Sequence, residues 1–427
     1  PPDIFALLPN GKREPLSDDP TGKVIAMCVS NPEFHALIVK RWKARVTAGP
    51  VWHDPLVIDA TENDVSGRCV CAECRAWDAP DERFKTSAYW GQGVVDDRTR
   101  FIPDGPSLSD RYARFYLAVL EEAQRTWRPD VSVIGNAYAN YGEAPEEVKL
   151  NDRIIINFVR WPAAFPWSEA SSALAREEWT RWAATGARLV LRPNTTRAGH
   201  TFPIFFARKL GDAFTFCAEH GMIGTDFDAL TGQWATQGPS LYMLGRKHVR
   251  PEESTQVILE EFYAAFGPAA EAVRNYFGHW EALSEKVSDE AFRQYRMEEQ
   301  DGALNAKGWL LVADRAFTPE AMQRGRELLN RAKEAVINDP EAAARVAVLD
   351  LGLEHAHLTL VASNAYKVYQ QQPNPERRAA FSEALKALLK FRTTHEGAML
   401  TNLRALDWEE ARFWGSQPDL RKVGLLP

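Results

Sequence analysis

No uninterrupted apolar run in the 427-residue chain comes near the roughly 20 positions that a membrane-spanning helix needs. Ile154–Phe158 (IIINF) and Arg188–Leu191 (RLVL) are representative, and both stop after a few residues. No membrane span is expected. Positive charge is also short: 51 Lys plus Arg stand against 58 Asp plus Glu, a net charge of -7. No basic field is available to hold a phosphate backbone, which argues against a nucleic-acid partner. Cysteine is scarce, at five residues. That is too few for a disulfide-built scaffold, and the odd count leaves at least one thiol unpaired, bound to metal or paired between chains. Several motifs are missing as well. There is no G-x-x-x-x-G-K-[ST], no G-x-G-x-x-G after a strand, no H-E-x-x-H and no G-x-S-x-G, so phosphate cradles, zincin chemistry and the hydrolase elbow lack support. His355 and His357 sit two apart in a helical pattern, where their rings face different ways and do not share a metal.

What is present is a globular composition, 45% hydrophobic and 26% charged, with room for more than one core. Fourteen Trp and twenty-one Phe stand out. Most belong in a core, but Trp is also the side chain on which sugar rings stack. From Val51 to Asp228, short β-branched or apolar runs alternate with helical patterns, the signature of βα units around a parallel sheet. The predicted strands are Leu56–Ala60, Val131–Ala137, Ile154–Phe158, Arg188–Leu191 and Met222–Thr225. The predicted helices between them are Asp110–Trp127, Ser171–Thr185 and Ile204–His220. A closed eight-stranded barrel needs about three more strands before these, and residues 1 to 50 do not obviously provide them. Beyond Pro251 the strand signal ends. Thr318-Pro319, Asp339-Pro340 and Asn374-Pro375 each read as an N-cap followed by Pro at the first helical position, so three long helices are expected. The expected organisation is an α/β, (β/α)-barrel-like domain over residues 1–250 and a mainly helical domain over 251–427.

In parallel α/β architectures the ligand lies at the C-terminal ends of the strands, so the residues just after each strand carry the functional expectations. After the first come Asp59, Glu62, Asn63 and Asp64. Like charges this close push at least one pKa upward, as a general acid requires, although Asn and Asp are also ordinary turn formers. After the second come Asn136, Tyr138, Asn140, Tyr141 and Glu143, of which Tyr138 and the amides can bond sugar hydroxyls. After the third come Arg160, Trp161 and Trp167, a stacking floor or simple loop packing. The fourth offers Arg192, Asn194 and Thr195. After the fifth, Asp226 and Asp228 precede a Gly-flanked loop carrying Trp234, with Asp226 alternatively a helix cap. Set against Glu62–Asp64 across a rim, these aspartates would supply the paired carboxylates of glycoside hydrolysis.

Cys69-Val-Cys71-Ala-Glu-Cys74 follows directly. C-x-C-x-x-C brings three thiolates within reach of one soft metal ion, with Cys28, His53 or Cys217 as candidate fourth ligand. One disulfide plus a free thiol, or three reduced cysteines in a tight turn, are the alternatives. In each case the cysteines pin the loop at the first strand's end, and no cofactor is required for the chemistry.

A family resemblance is carried by Pro2-Asp-Ile-Phe-Ala-Leu7 with Asn10-Gly-Lys-Arg13, by Cys28 to Glu33 ending Ser-Asn-Pro-Glu, and by Asn63-Asp64 before the C-x-C-x-x-C. Arg111-Tyr112-x-x-Phe115, Ala137-Tyr138 and Phe262-Tyr263 leading to Phe266-Gly-Pro-Ala269 continue it. Over about residues 1 to 280 the chain resembles a bacterial domain-of-unknown-function family. That family includes the endo-β-N-acetylglucosaminidases of glycoside hydrolase family 163 and is distantly similar to α-glucuronidases and β-hexosaminidases. The resemblance implies a (β/α)8 TIM barrel with carboxylate chemistry at its rim, preceded by a small α/β domain, and a periplasmic or secreted setting. Leu56–Ala60 would then be the fourth barrel strand, with the first three lying outside this chain. Relatives commonly carry a Glu near the place of Asp226, where this chain reads Thr225-Asp-Phe-Asp228.

The leading expectation is a glycoside hydrolase-like protein acting on an oligosaccharide or glycan, one that contains N-acetylglucosamine if the resemblance extends to substrate. Asp64 or Glu62 would be the acid/base, and Asp226 or Asp228 the opposing nucleophile or acetamido stabiliser. Trp161, Trp167 and Trp234 would floor the subsites, with Asn63 and Tyr138 bonding hydroxyls. A non-catalytic carbohydrate-binding or scaffold protein is the second expectation. A metal-dependent hydrolase using the cysteines with Asp226 and Asp228 is the third.

Overall fold

The fold is taken from a computed structural model that describes residues 2–13, 25–48, 56–62, 67, 69–79, 107–138, 140–161, 167–193, 201–227, 233–286, 306–399 and 402–426. Five strands form one parallel sheet in sequential order: β1 (Val57–Asp59), β2 (Ser132–Ala137), β3 (Ile154–Phe158), β4 (Arg188–Leu191) and β5 (Met222–Thr225). β3 lies at the centre with all five residues buried, which is why it reads as an apolar run interrupted by Asn157 alone rather than as an alternating one. Five parallel strands in chain order are what part of a (β/α)8 barrel contains. The described residues contain five of them, so the architecture is a mixed α/β fold around a five-stranded parallel sheet, with a mostly helical C-terminal region.

Two compact units interleave along the chain. One comprises Pro1–Trp161, Ala173–Pro193 and Cys217–Phe227; the other comprises Pro162–Ser172, Asn194–Phe216 and Asp228–Pro427. In the first unit, α1 (Pro32–Thr47) starts at Asn31, whose side chain accepts from the Glu33 N–H, with Pro32 at the first helical position. The short α2 (Ala72–Arg75) and the long α3 (Ser109–Thr126) follow before β2. α3 buries Tyr112, Phe115, Tyr116, Val119 and Leu120, the stripe expected from its spacing. The connection from β2 to β3 has no helix among the described residues. It is held instead by the buried Asp110 carboxylate, which accepts the backbone N–H groups of Glu146, Glu147 and Val148 at 3.0, 2.9 and 2.8 Å. α4 (Glu169–Ala183) and α5 (Ala207–Glu219) occupy the next two crossovers.

Gly135 on β2 marks where α3 comes closest to the sheet. A Cβ at this position would be driven into the Tyr116 ring. The Tyr116 hydroxyl is itself fixed, donating to the Asn136 carbonyl at 2.9 Å and accepting the Asn136 N–H at 3.1 Å. Gly135→Ala is therefore expected to cost about 1–3 kcal/mol by overpacking. The check is a lower urea midpoint at unchanged slope.

The second unit is helical: α6 (Trp234–Val249), α7 (Thr255–Ala264), α8 (Ala270–Lys286), α9 (Ala306–Ala316), α10 (Pro319–Ala335), α11 (Pro340–Gln371), α12 (Pro375–Met399), α13 (Leu403–Trp414) and α14 (Gln417–Lys422). The three Pro-started helices begin as expected. Thr318, Asp339 and Asn374 accept the N–H groups of Ala321, Ala342 and Arg377. α11 is the one described helix long and apolar enough to cross a membrane by length and composition, and 56% of its apolar window is buried inside the fold. It packs against α6, α9, α10 and α12, as a core helix does.

Candidate active-site edge and cysteine cluster

The C-terminal edge of the parallel sheet was expected to carry the site, and β1 delivers two carboxylates there with different fates. Asp59 is exposed and accepts from its own neighbour Thr61, at the N–H (2.9 Å) and the hydroxyl (2.6 Å). This is an Asx turn and leaves Asp59 a local role. Glu62 reaches further. Its carboxylate accepts the Met27 N–H at 3.1 Å and the hydroxyl of Tyr112 from the first turn of α3. Removal from water pushes the Glu62 carboxyl up to about 7, against the Tyr112 hydroxyl, the Met27 N–H and the Arg111 guanidinium, all of which favour the ionised form. Tyr112 in turn stacks on Tyr141 with ring centroids 3.7 Å apart, and Tyr141 lies edge-on to Tyr138 at 6.3 Å. Tyr138, half-buried at the end of β2, thus joins an aromatic group whose innermost member holds Glu62.

Gly67 is held in place. Asn140 binds both backbone groups of Gly67, accepting its N–H and donating to its carbonyl at 2.9 Å each. A Cβ at Gly67 would meet Leu108 and Tyr112 at 2.8 Å, so only glycine fits between Asn140 and α3. Arg111 then grips the cysteine stretch, donating to the Cys69 carbonyl at 2.8 Å and pairing with both oxygens of Asp78 at 2.7 and 2.6 Å. Asp110, Arg111 and Tyr112 therefore secure three separate loops from consecutive positions of one helix.

Asn63, Asp64, Asp228 and His53 lie outside the described residues. Asp226 directly follows β5, is exposed, and pairs with Arg192, which directly follows β4, at 3.2 Å. Because all strands are parallel, Glu62 and Asp226 leave the same edge of the sheet, but from its two outer strands. The tryptophans correct the expectation of a stacking floor. Trp161 is 3% exposed and packs edge-to-face against Phe158 and Trp179. Trp167, 4% exposed, donates its indole N–H to Ser172 at 2.8 Å and stacks on Phe206. Both rings are core, since each finds aromatic partners within its own unit. Trp234 is the first residue of α6 and half-buried. The residues around it form a helix start rather than a Gly-flanked loop, and Gln233 is fully buried against His355 and the Gly352 carbonyl. Asn136, one of the amides expected at the second strand's end, is paired with Asn157, which the sequence did not point to: Asn157 donates to Asn136 at 3.1 Å across β2 and β3, and its own buried carbonyl oxygen has no partner.

Cys28, Cys69, Cys71 and Cys74 meet in one buried cluster, their sulfurs all within 4.8 Å of one another. Cys28 is the candidate fourth member that joins them; Cys217 is buried on α5, outside the cluster, and His53 lies outside the described residues. Cys28 lies 3.6 Å from Cys71 and 3.8 Å from Cys74, and all five cysteines are free thiols. Cys71 caps α2, accepting the Cys74 N–H at 3.4 Å, while the Leu7 N–H points at Cys69 from 3.3 Å and the Ser30 hydroxyl lies 3.1 Å from Cys74. Hydrogen bonds from Cys69, Cys74, Ser30 and Cys71 hold the Cys28 thiol well below its ordinary value despite its burial. The same coupling to Cys28 pushes Cys69 up to about 11 and also raises Cys74. Desolvation works to lower the pKa of Arg13, yet its hydrogen bond with Cys28 and the charges of Cys28 and Asp3 raise it overall. These four residues can hold a metal ion.

A family model described as Domain of unknown function (DUF4838) matches residues 1–278, more than half of the chain. The chain belongs to the DUF4838 family. Its matched region contains the parallel sheet, the Glu62 loop and the cysteine cluster, and it ends within α8. No curated protein and no solved structure matches the chain.

Proposed function

We propose that this DUF4838 protein is glycoside hydrolase-like and cleaves a glycosidic bond in a glycan containing N-acetylglucosamine. Glu62 acts as the acid/base and Asp226 as the opposing carboxylate, with Asp64 and Asp228 their neighbours in the two clusters. The observation that carries this reading is the placement of Glu62: a carboxyl at the C-terminal edge of a parallel sheet, held by the Met27 N–H and the Tyr112 hydroxyl, where removal from water pushes its pKa up to about 7. A general acid working near neutrality needs that property. The motif resemblance to family 163 endo-β-N-acetylglucosaminidases supplies the substrate class, and a periplasmic or secreted place of work goes with it. Asp226, steadied by Arg192, is exposed and open to a ligand. Its side belongs to the outer strand opposite β1, about 19 Å away along a flat sheet of ~4.8 Å spacing, so the pair requires a strongly curled sheet.

The test is release of new reducing ends from N-acetylglucosamine-containing oligosaccharides by the full chain. Turnover supports the reading, and binding with no turnover overturns it. Asp226→Asn separates the roles of that residue. As a surface ion pair it is worth under about 1 kcal/mol of stability, whereas turnover is expected to fall at least about tenfold. Full turnover in this variant would remove Asp226 from the pair. The second reading, a glycan-binding or scaffold protein without catalysis, is favoured by the Arg192–Asp226 pairing, which engages the second carboxylate in an ion pair of its own.

A further inference from the structure

We infer that Cys28, Cys69, Cys71 and Cys74 bind a single Zn2+ ion in a closed tetrathiolate site that ties together the segments 4–8, 25–30 and 69–74. The inference stands on cysteine geometry and is independent of what the chain acts upon.

Four sulfurs at about 2.3 Å from one zinc ion form a tetrahedron whose edges are about 3.8 Å. The Cys28–Cys71 and Cys28–Cys74 separations of 3.6 and 3.8 Å match that edge, and all four sulfurs stay within 4.8 Å of one another. A disulfide needs about 2.05 Å between sulfurs, and the cluster has no such pair. A cluster of several irons would spread its cysteines around a larger cage than this one. Donors are already aimed at the sulfurs, from the N–H groups of Leu7 and Cys74 and the hydroxyl of Ser30. Such outer hydrogen bonds orient thiolate ligands and disperse their charge. Arg13 supplies a compensating positive charge beside Cys28 and Cys69. Its guanidinium is anchored on the carbonyls of Asp3 and Phe5 at 3.2 and 2.7 Å.

Binding converts the four thiols to thiolates and releases their protons, so affinity falls as pH drops. With four protein ligands the tetrahedron is complete and no position is left for water, which makes the ion structural rather than hydrolytic. It would also fix Met27, next to Cys28, whose N–H holds Glu62. Glu62 would then depend on the ion for its placement.

The experiment uses the full chain purified without added metal. Elemental analysis is expected to give about one zinc per chain. Replacement by Co2+ should produce the intense visible bands and thiolate charge-transfer absorption of a tetrahedral sulfur site. Cys28→Ser should lose the metal and lower the melting temperature, while Cys217→Ser, a buried cysteine outside the cluster, should keep the full stoichiometry. If Cys28→Ser does not fold, the cobalt spectrum of the unmutated chain decides alone. Metal-free protein with four freely titrating thiols, a disulfide within the cluster, bound iron, or a cobalt spectrum without sulfur charge transfer would each overturn the inference.

Discussion

Glu62→Gln is expected to lower glycan turnover by about 10²–10⁴-fold, the usual contribution of a positioned general acid or base. The substitution keeps the size of the side chain. Its amide oxygen still accepts the Met27 N–H, and its amide nitrogen can donate to the Tyr112 oxygen, so the loop should stay in place. Only the transferable proton is lost. The pH dependence gives a second, independent readout. In the folded chain the carboxyl titrates near 7, above its ordinary 4.5. Relative to the unfolded state, the contribution of its protonated form is fully present below about pH 4.5 and is lost as pH rises through about 7. The wild-type chain should therefore weaken by up to about 3 kcal/mol across that window, while Glu62→Gln should not. Activity that depends on protonated Glu62 should decline over the same range. A variant within about twofold of wild-type turnover would remove Glu62 from the chemistry. A stability curve that keeps its wild-type slope would show that the carboxyl does not titrate near neutrality.

Much of this architecture could be read from the sequence because buried parallel strands announce themselves as short apolar runs. Ile154–Phe158, Arg188–Leu191 and Met222–Thr225 have the bounds that the apolar pattern gave them. The helices after Thr318, Asp339 and Asn374 followed from capping chemistry that is local by nature. The same signal stands at Asn31-Pro32, and it would have found α1, whose buried stripe of His35, Val39 and Trp42 is too narrow to stand out by periodicity. The site was less legible because its decisive relations are tertiary. Asp59 and Glu62 look equivalent in sequence, yet one closes an Asx turn with Thr61 while the other spans 50 residues to Tyr112. The C-x-C-x-x-C spacing flagged three cysteines. Choosing Cys28 as the fourth required knowing that the segment around Leu7 and Met27 folds back onto the loop. Trp161 and Trp167 misled for a related reason. Loop residues have no periodicity that separates a ring facing solvent from one facing Phe158 or Phe206.

Arg392→Met is expected to destabilise the helical unit by about 3–5 kcal/mol, the cost of breaking a buried ion pair by removing one member. Arg392 is 3% exposed on α12 and Glu410 is 1% exposed on α13; they form a two-pronged pair at 2.7 and 2.6 Å. The third guanidinium edge donates its Nε–H to His355 Nε2 at 2.8 Å. That nitrogen must therefore be the unprotonated one, and His355 Nδ1 carries the hydrogen donated to Gln233 Oε1 at 2.6 Å. A neutral imidazole is the only form that satisfies both neighbours, so four side chains from four segments are fixed in one arrangement. Removing the guanidinium strips a buried carboxylate of two charge-assisted bonds and leaves the His355 acceptor without its donor. The double variant Arg392→Met with Glu410→Leu removes both charges at once and should recover most of the loss, because apolar replacement of a whole buried pair is often neutral. Urea unfolding of the single and double variants measures the difference directly. A single variant within about 1 kcal/mol of wild type, or a double variant no better than the single, would mean that the burial of Glu410 is relieved by water or by rearrangement of α13 rather than by Arg392.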